Sequence, residues 1–322
     1  MQSVFNFITS AFLILIWTYI NKKMITQINL LKMKLNKLLR IIFSGLVSMA
    51  LLQPLLAQNT RVDTILNEFY HHPEHVMVTA HRSAHLVHPE NSLAAIRNAI
   101  KIGADIVELD VRKTKDGVYV LSHDKNIDRI TSSKGEVSSY TFDELKQIPL
   151  LQNGQATSER IPTFESALRA AKDHIMVDID FKLDSLEDAI NVCKIIRETG
   201  MQKQVLFFVY DYPYTSTVDS IDNSIAVMPR AYRREDVLDI LKNYKVPVIH
   251  VDPGFYNDTL MGQIRSHNVR VWLNALGKFD DLEKTKKNSG YDSLLQMKAV
   301  NVIQTDYPAN LLKYLRERGL HR

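Results

Sequence analysis

Two histidines in this chain stand at the ends of apolar runs. The run 76–80 leads into His81-Arg82, and the run 118–122 leads into His123-Asp124. Between them, the run 105–111 carries Glu108 and Asp110. A later run, 175–181, carries Asp178 and Asp180 and is followed by Lys182. An imidazole titrates near neutral pH and can give or take a proton. Residues two apart in a strand share a face, so Glu108 and Asp110 point the same way, as do Asp178, Asp180 and Lys182. Carboxylates that converge on one space repel unless positive charge lies between them. Lys182 is one such charge, which alone would make a structural ion-pair cluster. A hard divalent cation is the other solution, and oxygen-only ligands suit Ca2+ or Mg2+ better than zinc. Two acidic strands with two histidines close by favour the cation. Strand ends able to move protons, hold a cation and grip an anion are the anatomy of an α/β active site.

These groups belong to an ordered set of short motifs: AHR at 80–82, PENS at 89–92, GADIVELDV at 103–111, TKDG at 114–117 and HD at 123–124. DFK at 180–182, VWLN at 271–274 and QTDYP at 304–308 follow. In this order and at these spacings the set resembles the glycerophosphodiester phosphodiesterase family, within the superfamily of the phosphatidylinositol-specific phospholipases C. The resemblance covers nearly everything after residue 76. It implies a TIM (β/α)8 barrel with His81 and His123 as general base and acid. Glu108, Asp110 and Asp180 become the ligands of one divalent cation, Ca2+ or Mg2+. Position 180 departs from the family pattern, which usually has Glu there. Asp is one methylene shorter, so the cation would sit closer to that strand, keep an extra water or recruit Asp178.

Arg82 and Lys182 are read as phosphate grips, the first a bidentate fork and the second a point charge. For Arg82 an ion pair with Glu90 or Glu108 is the alternative. Glu90 and Asn91 lie beside the site in the family, Glu90 orienting a catalytic group, while Asn91 or Ser92 also reads as a helix cap. Trp272, in the family's W-x-N pattern, is either an apolar wall for the glycerol side of the substrate or core. Asp306 is expected to anchor the last strand–helix turn. The implied reaction is metal-assisted cleavage of a small glycerophosphodiester. The glycerol 2-hydroxyl attacks, a cyclic phosphate forms, and water opens it to sn-glycerol 3-phosphate and an alcohol.

A lysophospholipase D-like enzyme or another phosphodiesterase of the superfamily would use the same residues with a different mouth. A glycosidase would leave Arg82, Lys182 and both histidines unexplained, and a non-catalytic binding protein on the same barrel would not need two histidines. Of the 11 histidines, His71, His72, His75, His85 and His88 fall in no motif.

The chain has 322 residues and a formal net charge of +4. Residues 1–57 hold six Lys or Arg and no acid, so the remainder has 34 basic and 36 acidic residues. The positive balance therefore belongs to the leader and gives no argument for nucleic-acid binding. Within the leader, 4–20 and 41–57 are apolar. The second follows Lys34, Lys37 and Arg40 and ends in small residues, the order of a secretory signal with a cut after Ala57. Met33 is a plausible true start, which would make 4–20 an upstream artefact; a membrane tether through 4–20 is the alternative. Export, periplasmic or secreted, is the expected location. The domains are then the leader 1–57 and a single catalytic barrel, 58–322. The lone Cys193 sits in a helical pattern and reads as a buried structural thiol.

To position the site, the barrel needs alternating elements. Apolar runs predict strands at 76–80, 105–111, 118–122, 175–181, 204–209, 225–228, 246–251, 269–273 and 300–304. Helical periodicity predicts helices at 92–102, 142–147, 164–173, 186–199, 234–244, 258–267 and 309–318. That is one strand too many. The turn at Lys115-Asp116-Gly117 leaves no room for a helix, so either the second and third strands form a hairpin or one crossover lacks its helix. The segment 275–298 exceeds a minimal crossover and is expected to form a helix and loop over the barrel mouth.

Overall fold

A computed structural model of the chain describes residues 2–52 and 60–322, with side chains described at 16–44 and 60–322. The chain divides into two compact units, Met1–Gln58 and Asn59–Arg322. The first contains one helix, Gln2–Leu52. Among the described residues no helix is long and apolar enough to cross a membrane. The side chains of the two apolar stretches fall largely outside the described ones, and the cut expected after Ala57 lies outside the described residues.

In the second unit the strands are β1 (Met77–Ala80), β2 (Ile106–Lys113), β3 (Tyr119–Leu121), β4 (Pro149–Gln152), β5 (Gln155–Arg160) and β6 (Met176–Phe181). They continue with β7 (Val205–Val209), β8 (Ala226–Ala231), β9 (Val248–Val251), β10 (Arg270–Asn274) and β11 (Val302–Thr305). Eight of them, β1, β2 and β6 to β11, pair in parallel, and Thr79 beside Ile106 closes the ring. This is the expected (β/α)8 barrel. The surplus strand is β3, which pairs antiparallel with β2 through Val111 and Leu121. The hairpin is therefore the right alternative, and Gly117 supplies the positive φ its turn needs. The crossover to β6 keeps its helix, Phe164–Ala171, after an insertion that contains the β4–β5 hairpin. The insertion has a small core of its own, built on Ile127, Ile130, Leu145, Leu150 and Ile161.

Helix Arg61–His71 has no counterpart among the predicted elements. Thr60 caps it in a reciprocal pair with Asp63. Its Val62, Ile65 and Phe69 pack with Met77, Ile106 and Trp272 at the start of the strands, closing that end of the barrel. Its last carbonyls are satisfied by buried Arg270, whose guanidinium donates to the carbonyls of Glu68 (2.6 Å), Phe69 (2.7 Å) and His72 (2.9 Å). The segment 275–298 forms two helices, Lys278–Thr285 and Ser289–Leu295. They bury Phe279, Tyr291 and Leu294 in the core outside β1, β9, β10 and β11. Only Leu276 of this segment lines the mouth. The expected cover is thus a packed crossover.

The first turn of the barrel is tied to the end of the chain. Asp105, fully buried before β2, accepts from Val78 N (2.8 Å), and His321 Nε2 (2.9 Å) and Arg322 (2.6 Å) approach the same carboxylate. Burial alone would raise this carboxyl, but the hydrogen bond and charge of His321 and the charge of Arg322 outweigh it and hold it below its ordinary value. Asp105 therefore contributes stability above the ordinary carboxylate pKa that is lost on acidification. His321→Ala is expected to cost about 2–3 kcal/mol in urea unfolding near neutral pH. An unchanged midpoint would show the clasp contributes nothing.

Candidate active site

The parallel register sets Glu108 beside Asp178 and Asp110 beside Asp180. Their neighbours Val107, Leu109, Val177 and Ile179 face the opposite way, into the core against the helices. Four carboxylates therefore crowd one stretch of barrel interior. Oxygens of Glu108, Asp110 and Asp180 all lie within 4.8 Å of one another. Burial, then the charges of Asp110 and Asp180, push Glu108 well above its ordinary pKa. Burial and the charges of Asp180 and Asp110 do the same to Asp178. Burial also raises Asp180, although Lys182 opposes it. Lys182 meets Asp180 directly and stands 3.3 Å from Asp110. Burial would lower Lys182, but Asp180 and Asp110 hold it charged.

One lysine does not complete this group. Oδ1 of Asp178 and of Asp180 are buried without a hydrogen-bond partner, and Oδ1 of Asp110 has only the Lys182 ion pair at 3.3 Å. Orphaned oxygens on repelling carboxylates fit a hard divalent cation. Glu108, Asp110 and Asp180 would hold it, with Asp178 beside them.

The loop after β1 wraps this cluster. Arg82, Ser83 and Asn91 all have positive φ, a rare conformation for non-glycine residues and one that concentrates at functional sites. Arg82 N donates to Glu108 Oε2 at 2.7 Å. Asn91 is buried, donates its amide to Asp110 Oδ2 (2.8 Å) and accepts from Asp110 N (3.3 Å). The Arg82 guanidinium reaches Glu90 at 3.3 Å, so the ion-pair alternative describes one of its contacts while Arg82 also lines the cavity.

Each histidine is held at Nδ1 by an aspartate, His81 by Asp306 (2.7 Å) and His123 by Asp124 (2.7 Å). A carboxylate at Nδ1 favours the tautomer with its lone pair on Nε2. Asp306 is anchored in turn, its amide donating to Asp280 Oδ2 at 2.9 Å. Arg129 from the insertion donates to Asp124 Oδ2 (2.6 Å) and, with both terminal nitrogens, to Glu90 (2.6 and 2.8 Å). Against the effect of burial, Arg129 and His123 hold the Asp124 carboxyl down to about 2. Glu90 thus joins Arg82 to the support of His123.

A cavity of about 380 Å³ opens over the cluster. His81, Arg82, Glu108, His123, Asp180 and Lys182 all line it, as does Asp178. Trp272 does not. It is fully buried in the core at the closed end, and its Nε1 donates to Asn274 Oδ1 at 3.0 Å. The substrate-wall reading of Trp272 is corrected: on β10 it lies two residues before Asn274, one layer below the cavity. Eight lining residues stand outside the predicted set, among them Tyr210, Arg230, His250 and Asn274. Tyr210 hydroxyl bonds both Asp180 (2.9 Å) and Lys182 (2.8 Å). Burial, then the charge of Arg230, pushes His250 down to about 4. Asn274 closes the W-x-N pattern, while the signal of Tyr210, Arg230 and His250 is position alone, each at or just past the end of a predicted strand.

The glycerophosphoryl diester phosphodiesterase family matches residues 81–228. A glycerophosphodiester phosphodiesterase of Caldanaerobacter subterraneus is 26% identical over 253 residues, 76% of this chain and 99% of the relative. A glycerophosphoryl diester phosphodiesterase structure from Parabacteroides distasonis superposes with a TM-score of 0.69 at 23% identity, over 81% of this chain and 93% of that one. An Oleispira antarctica phosphodiesterase, solved with the product sn-glycerol-3-phosphate, gives 0.64 at 21% identity, over 75% and 97%. These structural likenesses show the fold.

The carboxylate cluster makes a sign-specific prediction. Groups with raised folded pKa values bind more protons folded than unfolded, so their stability is present at acid pH and lost as pH rises through the raised values. In EDTA, the melting temperature should fall from about pH 5 towards pH 8. Millimolar Ca2+ or Mg2+ should remove most of that fall, because cation and protons compete for the same oxygens. A pH profile identical with and without cation would show that these carboxylates hold none.

Proposed function

Because this chain belongs to the glycerophosphodiester phosphodiesterase family and is a phosphoric diester hydrolase, we propose that it hydrolyses small glycerophosphodiesters. The products are sn-glycerol 3-phosphate and an alcohol, with Glu108, Asp110 and Asp180 holding one Ca2+ or Mg2+ and the two histidines moving the protons. The observation that carries this reading is one cavity with two imidazoles, each oriented by an aspartate, beside partnerless carboxylate oxygens.

When bound, the cation screens the carboxylates and draws charge from the phosphate oxygens. Arg82 and Lys182 add two positive charges in the same cavity, a preorganised field for the charge that grows on phosphorus-bound oxygen. With Nδ1 committed to Asp306 or Asp124, each histidine keeps Nε2 for the reaction. One takes the proton of the attacking hydroxyl, the glycerol 2-hydroxyl in the first half of the reaction. The other protonates the departing alcohol. Water then opens the cyclic phosphate with the roles reversed. The leader's charged, apolar and small-residue order supports export after a cut at Ala57. N-terminal sequencing of the exported protein should begin at Gln58; retention of the whole leader in the membrane fraction would favour the tether.

The purified protein should release glycerol 3-phosphate from glycerophosphocholine or another glycerophosphodiester with Ca2+ or Mg2+, and EDTA should abolish release. His81→Ala and His123→Ala should each lower kcat by about 10²–10⁴ with the fold intact. Near wild-type turnover in either variant would remove that histidine from the mechanism.

A further inference from the structure

The residues that do chemistry occupy one side of the barrel. His81 follows β1, Glu108 and Asp110 lie on β2, and Asp180 lies on β6. In the closed order β1, β2, β6, β7, β8, β9, β10, β11, the strands opposite β1, β2 and β6 are β8, β9 and β10. Those three carry Arg230, His250 and Asn274, and all three side chains line the cavity. The proposed reaction gives none of them a task.

They form a built surface. Arg230 and His250 are register partners on neighbouring strands. His250 is 4% exposed and its Nδ1 has no hydrogen-bond partner. Arg230 donates through one terminal nitrogen to Asp252 Oδ1 (2.7 Å), while its Nε is buried without a partner. Asn274 is oriented from two sides, by Trp272 Nε1 on its amide oxygen and by a side-chain hydrogen bond with His250, and its amide oxygen keeps a second lone pair. Buried polar atoms left unpaired are costly and select for a ligand that pairs them.

We propose that Arg230, His250 and Asn274 form the subsite for the leaving alcohol, and that it takes a neutral polyol such as glycerol in preference to a cationic amino alcohol. This rests on the phosphodiesterase reading above. Hydroxyls both donate and accept, which matches a wall that offers guanidinium and amide hydrogens beside imidazole and amide acceptors. A quaternary ammonium finds no partner there. The wall's carboxylate, Asp252, is already paired with Arg230. Of the two aromatic rings that line the cavity, Tyr210 has Lys182 Nζ 5.5 Å from its centroid and Phe208 packs edge-on against His250, ring centroids 5.4 Å apart. The uncommitted guanidinium hydrogens attract hydroxyl oxygens and offer a cation no acceptor. A second phosphate or carboxylate is less suited, because Asp252 balances the Arg230 charge.

The test compares kcat/KM for glycerophosphoglycerol and glycerophosphocholine at one fixed cation concentration. The wild type should favour glycerophosphoglycerol by about tenfold or more, and His250→Leu and Arg230→Met should each cut that ratio by about tenfold. His250→Leu keeps an apolar volume against Phe208 if loss of the Asp252 partner unfolds Arg230→Met; if neither folds, the wild-type ratio alone decides. A wild-type ratio at or below one overturns the proposal. So do variants that slow both substrates equally, since the wall would then serve the glycerol unit common to both. Cleavage of glycerophosphocholine with no polyol preference sinks this inference alone, whereas no cleavage of any glycerophosphodiester sinks the phosphodiesterase reading with it.

Discussion

The register between β2 and β6 is the constraint from which the site follows. Val107, Leu109, Val177 and Ile179 must all face the helices, and a slip of one residue would turn them inward and the acids outward. The apolar face therefore sets the pairing, and the pairing forces Glu108, Asp110, Asp178 and Asp180 together. Hydrophobic burial is what holds mutually repelling charges at close range. Everything polar around them reads as compensation: the Lys182 ammonium, the backbone N–H of Arg82, the Asn91 amide and room for a cation. A local conflict sustained by the global fold is the usual signature of a functional site.

The two histidines are positioned by different means. His81 depends on the end of the barrel, where Asp280, in the crossover between β10 and β11, fixes the turn bearing Asp306. His123 depends on the insertion after β3, where Arg129 pins Asp124 and reaches Glu90 at the far side of the β1 loop. Glu90 also meets Arg82. Any shift of the insertion therefore moves His123 and Arg82 together. An insertion with its own small core can act on the chemistry in this way without lining the reacting centre.

What was legible in the sequence was local. Apolar runs located all eight barrel strands, because a buried parallel strand leaves a dense apolar signature. Spacing placed the acids on one face, and motif order brought His81, Arg82, Glu108, His123 and Lys182 to one cavity. Contacts between distant residues were not legible. Asp306 is 225 residues from His81, and Arg129 is 39 from Glu90. Nothing in their neighbourhoods states the pairing. Arg230 and His250 sit in no motif, and only the closed strand order shows that they face the carboxylates. Trp272 misled through its pattern, since W-x-N names two residues on one face and the deeper of them belongs to the core. Helix Arg61–His71 did carry a signal, a Thr-x-x-Asp cap, just after the leader.

Asp180, where the family usually has glutamate, is held from the neighbouring strand. Tyr210, just past the end of β7, bonds both Asp180 and Lys182 through one hydroxyl. The pair is thereby fixed as a unit, with Lys182 drawn towards Asp110 while Asp180 Oδ1 remains partnerless. Oxygens of Glu108, Asp110 and Asp180 converge within 4.8 Å of one another. Asp178 stays buried, raised by burial and by the charges of Asp180 and Asp110, without a partner for its own Oδ1. A tyrosine just past β7 thus ties Asp180 and Lys182, and through Lys182 Asp110, into one cluster that spans β2, β6 and β7.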